Sequence, residues 1–233
     1  MDKEAFDYPG LGCGFLFMTT RMRKSGTQAR GRARRQELLV AARTLLETRT
    51  LHEIELSDVA ALAGIPKSSA YHFYGDILQL YAELAVLLDE ELNAVLSEPL
   101  PELPNWEAVV GALIDRAASY FRGNPSGQQL MFGPVTPPDI KRSSRNADIA
   151  HSAVFKAQIG DQFVLPDFPG RDRVFFHAVE AIDLMFGLSL IEQNGLVDEM
   201  IAEAKTIACA YLGVYLPRLL PRTADVAGTD AAS

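Results

Sequence analysis

Apolar residues recur at three- and four-residue spacing along most of the chain, and no segment alternates as a strand would. From about Arg34 to Glu47, Leu38, Ala41, Ala42 and Leu45 form the stripe of a first helix. Glu55 to Asp76 then reads as two short helices joined by a tight turn. Leu56, Val59, Ala60 and Ala63 share one face, and Gly64 follows where the chain turns and positive φ costs nothing extra. Ile65 plugs the turn, and Pro66 suits a first helical position, where its missing N–H is no loss. In the next helix Ala70, Phe73 and Tyr74 point inward while Lys67, Ser68, Ser69, Tyr71 and His72 point out. Small residues at the crossing and hydrogen-bonding groups on the outer face are the layout of a helix-turn-helix. A long amphipathic helix runs from Ile77 to about Ser97, and Pro-Leu-Pro-Glu-Leu-Pro (99–104) breaks it. Asn105 caps a helix from Trp106 to about Arg122. Further helices are expected at Ser126–Phe132, Asp139 to about Phe163, about Asp172–Gln193 and about Val197–Leu216, separated by Pro- and Gly-rich breaks.

Composition adds little to this all-α picture, but charge distribution adds a good deal. The net charge of −8 argues against a nucleic-acid partner, whereas its placement argues for one. Arg21, Arg23, Lys24, Arg30, Arg32, Arg34 and Arg35 fall within fifteen residues that hold no acid, immediately before the helix-turn-helix. A local basic field attracts phosphate whatever the overall isoelectric point; a solvated, disordered tail is the other reading of the same run. Residues 1–30 form a flexible basic arm in this reading. Met18-Thr-Thr-Arg is a second plausible start, which makes residues 1–17 an extension; mass spectrometry of the native N-terminal peptide tests that, and a peptide beginning before Met18 removes it. Cys13 and Cys209 have no metal-like or redox-like neighbours and read as reduced thiols of a cytoplasmic protein. No uninterrupted apolar run reaches membrane-spanning length, and the acidic start is wrong for a secretory signal.

Enzyme signatures are missing from the sequence. It has no Gly-x-Ser-x-Gly, no phosphate loop and no Cys-x-x-Cys pattern, and Gly10-Leu-Gly12-Cys-Gly14 has no strand before it. No cofactor or metal is expected, because the histidines lack a carboxylate or Cys companion at ligand spacing. The last two helices are apolar on more than one face, through Phe175, Phe176, Val179, Ile182, Met185, Phe186 and Leu190 and then Ile201, Ile207, Tyr211 and Tyr215. Such helices need two partners: a homodimer is one solution, a deeply buried hairpin in a monomer the other.

Residues 34–81 resemble the DNA-binding domain of TetR/AcrR-type transcriptional regulators. The resemblance rests on Arg-Gln-Glu-Leu-Leu-Val-Ala-Ala-Arg-Thr-Leu-Leu, on Asp-Val-Ala-Ala-Leu-Ala-Gly-Ile and on Tyr71-His72-Phe73-Tyr74. It implies a helix-turn-helix domain at 31–76, a helical ligand-binding and dimerisation domain at 77–220, and a disordered tail at 221–233. It also implies a homodimeric repressor on a palindromic double-stranded operator, released by a small apolar or aromatic effector. A helical protein-interaction module with a degenerate helix-turn-helix is the alternative. The third helix then enters the major groove, with Lys67 placed for guanine, Ser68 and His72 beside it, and Ser69 and Tyr71 on phosphate. Ser57 touches a phosphate or base, and Arg32, Arg34 and Arg35 serve the backbone. The effector pocket is expected to use Phe121, Met131, Phe132, Phe155 and Phe176, with His151 or His177 as polar anchors; plain core is the other reading of these positions. Three departures stand out. Thr50 replaces a common Gly, Ile54-Glu55 replaces a Thr pair and leaves Asp58 without its capping partner (Ser57 being the substitute), and Ile77 replaces a phosphate-binding Lys.

Overall fold

A computed structural model describes residues 15–134 and 136–225, with side chains from residue 28 onward except 143 and 144. The described residues form helices joined by turns and loops, with an isolated antiparallel bridge between Phe163 and Arg222. The first helix, α1 (Phe15–Leu45), starts well before Arg34. Residues 15–35 contain no proline and hold six arginines and two methionines, good helix formers, so the helix can run back through them. Arg32, Arg34 and Arg35 therefore stand on a continuous helix, where a flexible arm was expected up to residue 30. Residues 1–14, including Cys13 and most of the proposed extension, lie outside the described residues, as do 226–233 of the expected tail.

α2 (Leu56–Leu62) and α3 (Lys67–Phe73) pack on α1 through Leu38, Ala42, Val59, Ala60, Ala70 and Tyr74, all buried. Gly64 takes φ +65°, and the Ile65 N–H donates to the Ala60 carbonyl at 3.0 Å, which closes α2 and buries the Ile65 side chain. Pro66 sits one residue ahead of α3 rather than at its first position, and its carbonyl accepts the Ser69 N–H at 2.8 Å. The start of α2 corrects one expectation. Asp58 does have partners: its Oδ2 accepts the Glu55 N–H at 3.0 Å and pairs with Arg49 at 3.1 Å. Ser57 caps nothing; its hydroxyl donates to Glu55 Oε2 at 3.1 Å. Thr50 gives its N–H and hydroxyl to Glu53 Oε2 at 2.8 and 2.7 Å, so a 3-10 turn at Leu51–Glu53 replaces the glycine stop after α1.

α4 (Ile77–Ser97) begins on an Asp76 cap that accepts the Gln79 N–H at 2.9 Å. Past its far end, Arg116 of α5 (Trp106–Arg122) donates to the Glu98 carbonyl at 2.6 Å, satisfying an acceptor that the proline break leaves open. Asn105 caps α5 by accepting the Ala108 N–H at 2.8 Å. A short α6 (Pro125–Gly127) runs straight into one π-helical turn, Gln128–Phe132. α7 (Pro138–Gln162), α8 (Arg171–Gln193) and α9 (Asp198–Leu212) complete the larger bundle. Asn194 at φ +56° stops α8 and lets α9 fold back along it. α8 is long and apolar enough to cross a membrane by length and mean hydropathy, which qualifies the sequence reading. It also carries Glu180 and Asp183 and packs between α7 and α9, burying Val174, Phe175, Ala178, Val179, Ile182 and Phe186 as a core helix does.

Candidate nucleic-acid interface and ligand cavity

α3 presents Lys67, Ser68, Tyr71 and His72 to solvent, with Ser69 half-buried beside them. Ala70 and Phe73 face the other way, so the seven residues divide cleanly by side. Lys67 Nζ lies 5.8 Å from the centroid of the Tyr71 ring one turn on, a contact that orients both groups outward. Ser57 is half-buried at the start of α2. Arg32 and Arg34 are exposed on α1. Arg35 has a different job from the one expected. Its guanidinium donates to Glu83 Oε2 at 2.7 Å and to the Tyr74 hydroxyl at 3.3 Å, and that hydroxyl donates to the same Glu83 oxygen at 3.0 Å. Helical spacing turns Arg35 toward α4, so it braces α1, the end of α3 and α4 instead of pointing at a phosphate. Burial pushes the Tyr74 hydroxyl up to about 12, so it stays a donor to Glu83 at neutral pH. Ile77 is half-buried against the core and offers no phosphate contact.

A cavity of about 260 Å³ lies in the larger bundle, where α4, α5, the π-helical turn, α7 and α8 converge. Of the residues expected there, Phe121, Met131, Phe132 and His151 line it. Phe155 is buried in the core behind it. Phe176 lines a separate concavity of about 470 Å³ between α7 and α8. His177 is exposed, its Nδ1 lying 3.1 Å from the Tyr211 hydroxyl on the α8–α9 face, which corrects its assignment as an anchor. The reason is geometric: consecutive residues on α8 point about 100° apart, and only one edge of that helix faces the cavity.

The unexpected part of the cavity is its charge. Asp89 from α4, Asp148 from α7, and Glu180 and Asp183 from α8 line it, with Lys141 and Arg145 as the only cations in the lining. His151 also has a carboxylate companion, contrary to expectation. Its Nδ1 is 3.5 Å from Asp148 Oδ1, and its Nε2 is 3.3 Å from the Asp89 carbonyl. Burial, reinforced by Asp148 and Glu180, pushes Asp183 well above the usual carboxylate range. Glu180 also rises, mainly through burial, with Arg145 opposing the shift. Two signals in the sequence could have found this wall: Asp148 and His151 at i, i+3, and Glu180 and Asp183 at i, i+3 on an otherwise apolar helix. Among the described residues no group of three His, Cys, Asp or Glu side chains is placed to hold a metal ion.

One side chain ties the cavity to the helix-turn-helix. Gln129 stands on the π-helical turn that also supplies Met131 and Phe132 to the cavity. Its Nε2 donates to the Leu46 and Arg49 carbonyls at 2.8 and 2.9 Å, and its Oε1 accepts the Leu51 N–H at 3.1 Å. Those groups are the open end of α1 and the start of the turn leading to α2. Thr136 fixes the turn from behind, donating to the Gln129 carbonyl at 2.8 Å. Tyr81 of α4 adds a buried bond from its hydroxyl to the Leu51 carbonyl at 3.1 Å, and Arg43 of α1 joins Glu91 of α4 at 2.8 Å and the Asn124 side chain.

Residues 104–214 match the family described as tetracyclin repressor-like, C-terminal domain. No curated protein sequence matches the chain. Among solved structures, a TetR-family transcriptional regulator from Streptomyces coelicolor is 25% identical and superposes with a TM-score of 0.61, over 78% of this chain and 99% of that one. A TetR transcriptional regulator from Rhodococcus sp. RHA1 is 13% identical, with a TM-score of 0.60 over 78% and 96%. FadR of Thermus thermophilus, a TetR-family transcriptional repressor in complex with lauroyl-CoA, is 17% identical, with a TM-score of 0.56 over 80% and 97%.

Proposed function

We propose that the chain is a TetR-family transcriptional regulator, as its C-terminal domain match and its fold support, and that it acts as a cytoplasmic, homodimeric repressor that a small effector releases from a palindromic operator. The observation that carries this reading is the Gln129 clamp. One short turn is at once a wall of the cavity, through Met131 and Phe132, and the strap on the end of α1, through Gln129. An effector that moves the turn changes how firmly α1 and the attached α2–α3 unit are held, and so favours a state in which the two α3 helices no longer meet successive major grooves. FadR holds lauroyl-CoA within the same fold, which is consistent with a ligand cavity at the centre of this bundle.

Lys67 reads a base edge in this account, Ser68 and His72 support it, and Ser57, Ser69, Tyr71, Arg32 and Arg34 hold the sugar–phosphate backbone. Dimerisation uses the α8–α9 face. Val214, Tyr215 and Leu219 after α9 are apolar and exposed, an arrangement that a second copy would cover. No chemical step is assigned to the protein. The half-buried Ile77 favours one other reading, a helical interaction module whose helix-turn-helix no longer binds DNA. A mobility-shift titration with the DNA upstream of the chain's own gene separates the two. Salt-dependent binding to a palindrome supports the repressor, and no complex at low salt with folded dimer supports the module.

A further inference from the structure

The cavity has two chemically different walls. One is aromatic: the Phe121 and Phe132 rings meet edge to face at 4.7 Å, with Phe186 5.7 Å behind Phe132. The other is a cluster of carboxyls drawn from separate helices. Asp148, with only 9% of its side chain exposed, lines the cavity together with Glu180 and Asp183. Three carboxyls around one small cavity oppose one another's ionisation unless a neutralising charge joins them. The cavity's own cations supply little of it. Arg145 reaches Glu180 only at 3.5 Å, and 69% of its side chain is in solvent, where the attraction is screened. Lys141 is exposed. Glu180 Oε1 is itself buried and has no hydrogen-bond partner among the described residues.

Resting on the reading of this cavity as the effector site, we propose that it takes an organic cation, with an ammonium head among Asp148, Glu180 and Asp183 and an apolar or aromatic body against Phe121 and Phe132. An ammonium group carries up to three donors for the carboxyl oxygens, and the ring faces of the opposite wall also attract it. A neutral analogue of the same shape loses the ionic part, and an anionic one meets like charge. Burial holds Asp183 above the usual carboxylate range, so a bound cation favours loss of its proton. The groups facing it are Asp89 on α4, Lys141, Arg145, Asp148 and His151 on α7, and Glu180 on α8. Affinity for the cation therefore rises as pH rises through the range in which Asp183 gives up that proton.

The test is calorimetric titration of the full chain with three probes of matched size: phenylbutylammonium, phenylbutanol and phenylbutanoate. The ammonium ion should bind at least about tenfold more tightly than the alcohol, with the carboxylate weakest. Glu180→Gln should remove about tenfold from the ammonium affinity and leave the alcohol unchanged. Lys141→Ala, an exposed change that leaves the carboxyl cluster intact, should strengthen ammonium binding. Equal or tighter binding of the alcohol or the carboxylate overturns the proposal, as does an ammonium ion that fails to bind. Each probe is then added to the chain's complex with its upstream DNA. An ammonium ion that binds without altering that complex supports the ligand class and removes the regulatory reading. A DNA complex dissolved by the alcohol or the carboxylate alone overturns the ligand class and leaves the regulatory reading standing.

Discussion

α3 and the cavity do different work, and they are built differently. α3 is seven consecutive residues, and its outward side chains touch little except each other, as Lys67 touches Tyr71. Its inward residues, Ala70 and Phe73, hold it to the domain. Reading and folding are thus divided between two sides of one short helix. The cavity draws on residues from Asp89 to Ile191. There the side chains that would touch a ligand are the ones that hold the bundle together: Phe121 is 2% exposed and His151 4%. The difference teaches that α3 can change its specificity with little cost to the fold, whereas a change at a buried wall residue of the cavity, such as Phe121 or His151, is also a change to the core.

Substitutions can break that contrast or sharpen it. The largest effect is expected from Phe121→Ala, which should cost about 3–5 kcal/mol of stability, read as a lower urea midpoint with an unchanged slope. Next comes Gln129→Leu, which orphans the Leu46 and Arg49 carbonyls and the Leu51 N–H; a loss of about 1–3 kcal/mol follows. Hydrogen exchange at the Leu51 amide should accelerate in the same variant, and if it does not, the clamp holds nothing. Lys67→Ala should leave stability within about 0.5 kcal/mol while costing about 1–3 kcal/mol of preference at one base pair, measured by binding to an operator library. An unchanged preference removes its base-reading role, and a large stability loss breaks the contrast itself.

Asp183 gives a slope rather than an offset. Its value is raised in the fold, so the native state holds more protons than the unfolded chain as pH climbs past the ordinary aspartate value of about 3.9. Unfolding free energy therefore falls with rising pH until the folded value is passed, and the full penalty persists above it. Asp183→Asn should flatten this part of the profile and stabilise the protein at neutral pH. A profile that superposes on the unmodified chain contradicts the buried carboxyl cluster. The smallest effect is expected at Arg35. The exposed part of its pairing with Glu83 limits the cost of Arg35→Ala to about 0.2–1 kcal/mol. If operator affinity falls far more than stability, Arg35 serves a phosphate after all.

The same contrast explains what could be read from the sequence. Leu56 to Tyr74 was legible because contacts in the helix-turn-helix are local: the Gly64 turn, the Ile65 plug and the Ala70 crossing lie within a few turns of one another. Asn105 and Trp106 were legible for the same reason, since a cap is a matter of neighbours. Arg35 was misread because its partner Glu83 lies 48 residues away. His177 was misplaced because spacing along a helix does not say which edge meets a cavity. The acidic wall was missed because Asp148, Glu180 and Asp183 look like ordinary solvated charges until α7 and α8 bring them together. Gln129 carried no signal at all. Its role depends on the carbonyls that α1 leaves open some 80 residues earlier in the chain.

The central claim, a DNA-binding dimer whose cavity is strapped to its reading head, is tested most directly by one titration. The chain and its Gln129→Leu variant are each bound to the DNA upstream of its gene, over a range of salt, with and without phenylbutylammonium. For the unmodified chain the account predicts a dimeric complex whose affinity falls steeply with salt and falls again when the ammonium ion is added. For the variant it predicts a complex that the ammonium ion barely alters. No complex at low salt with folded dimer present, or equal release from both proteins, contradicts it.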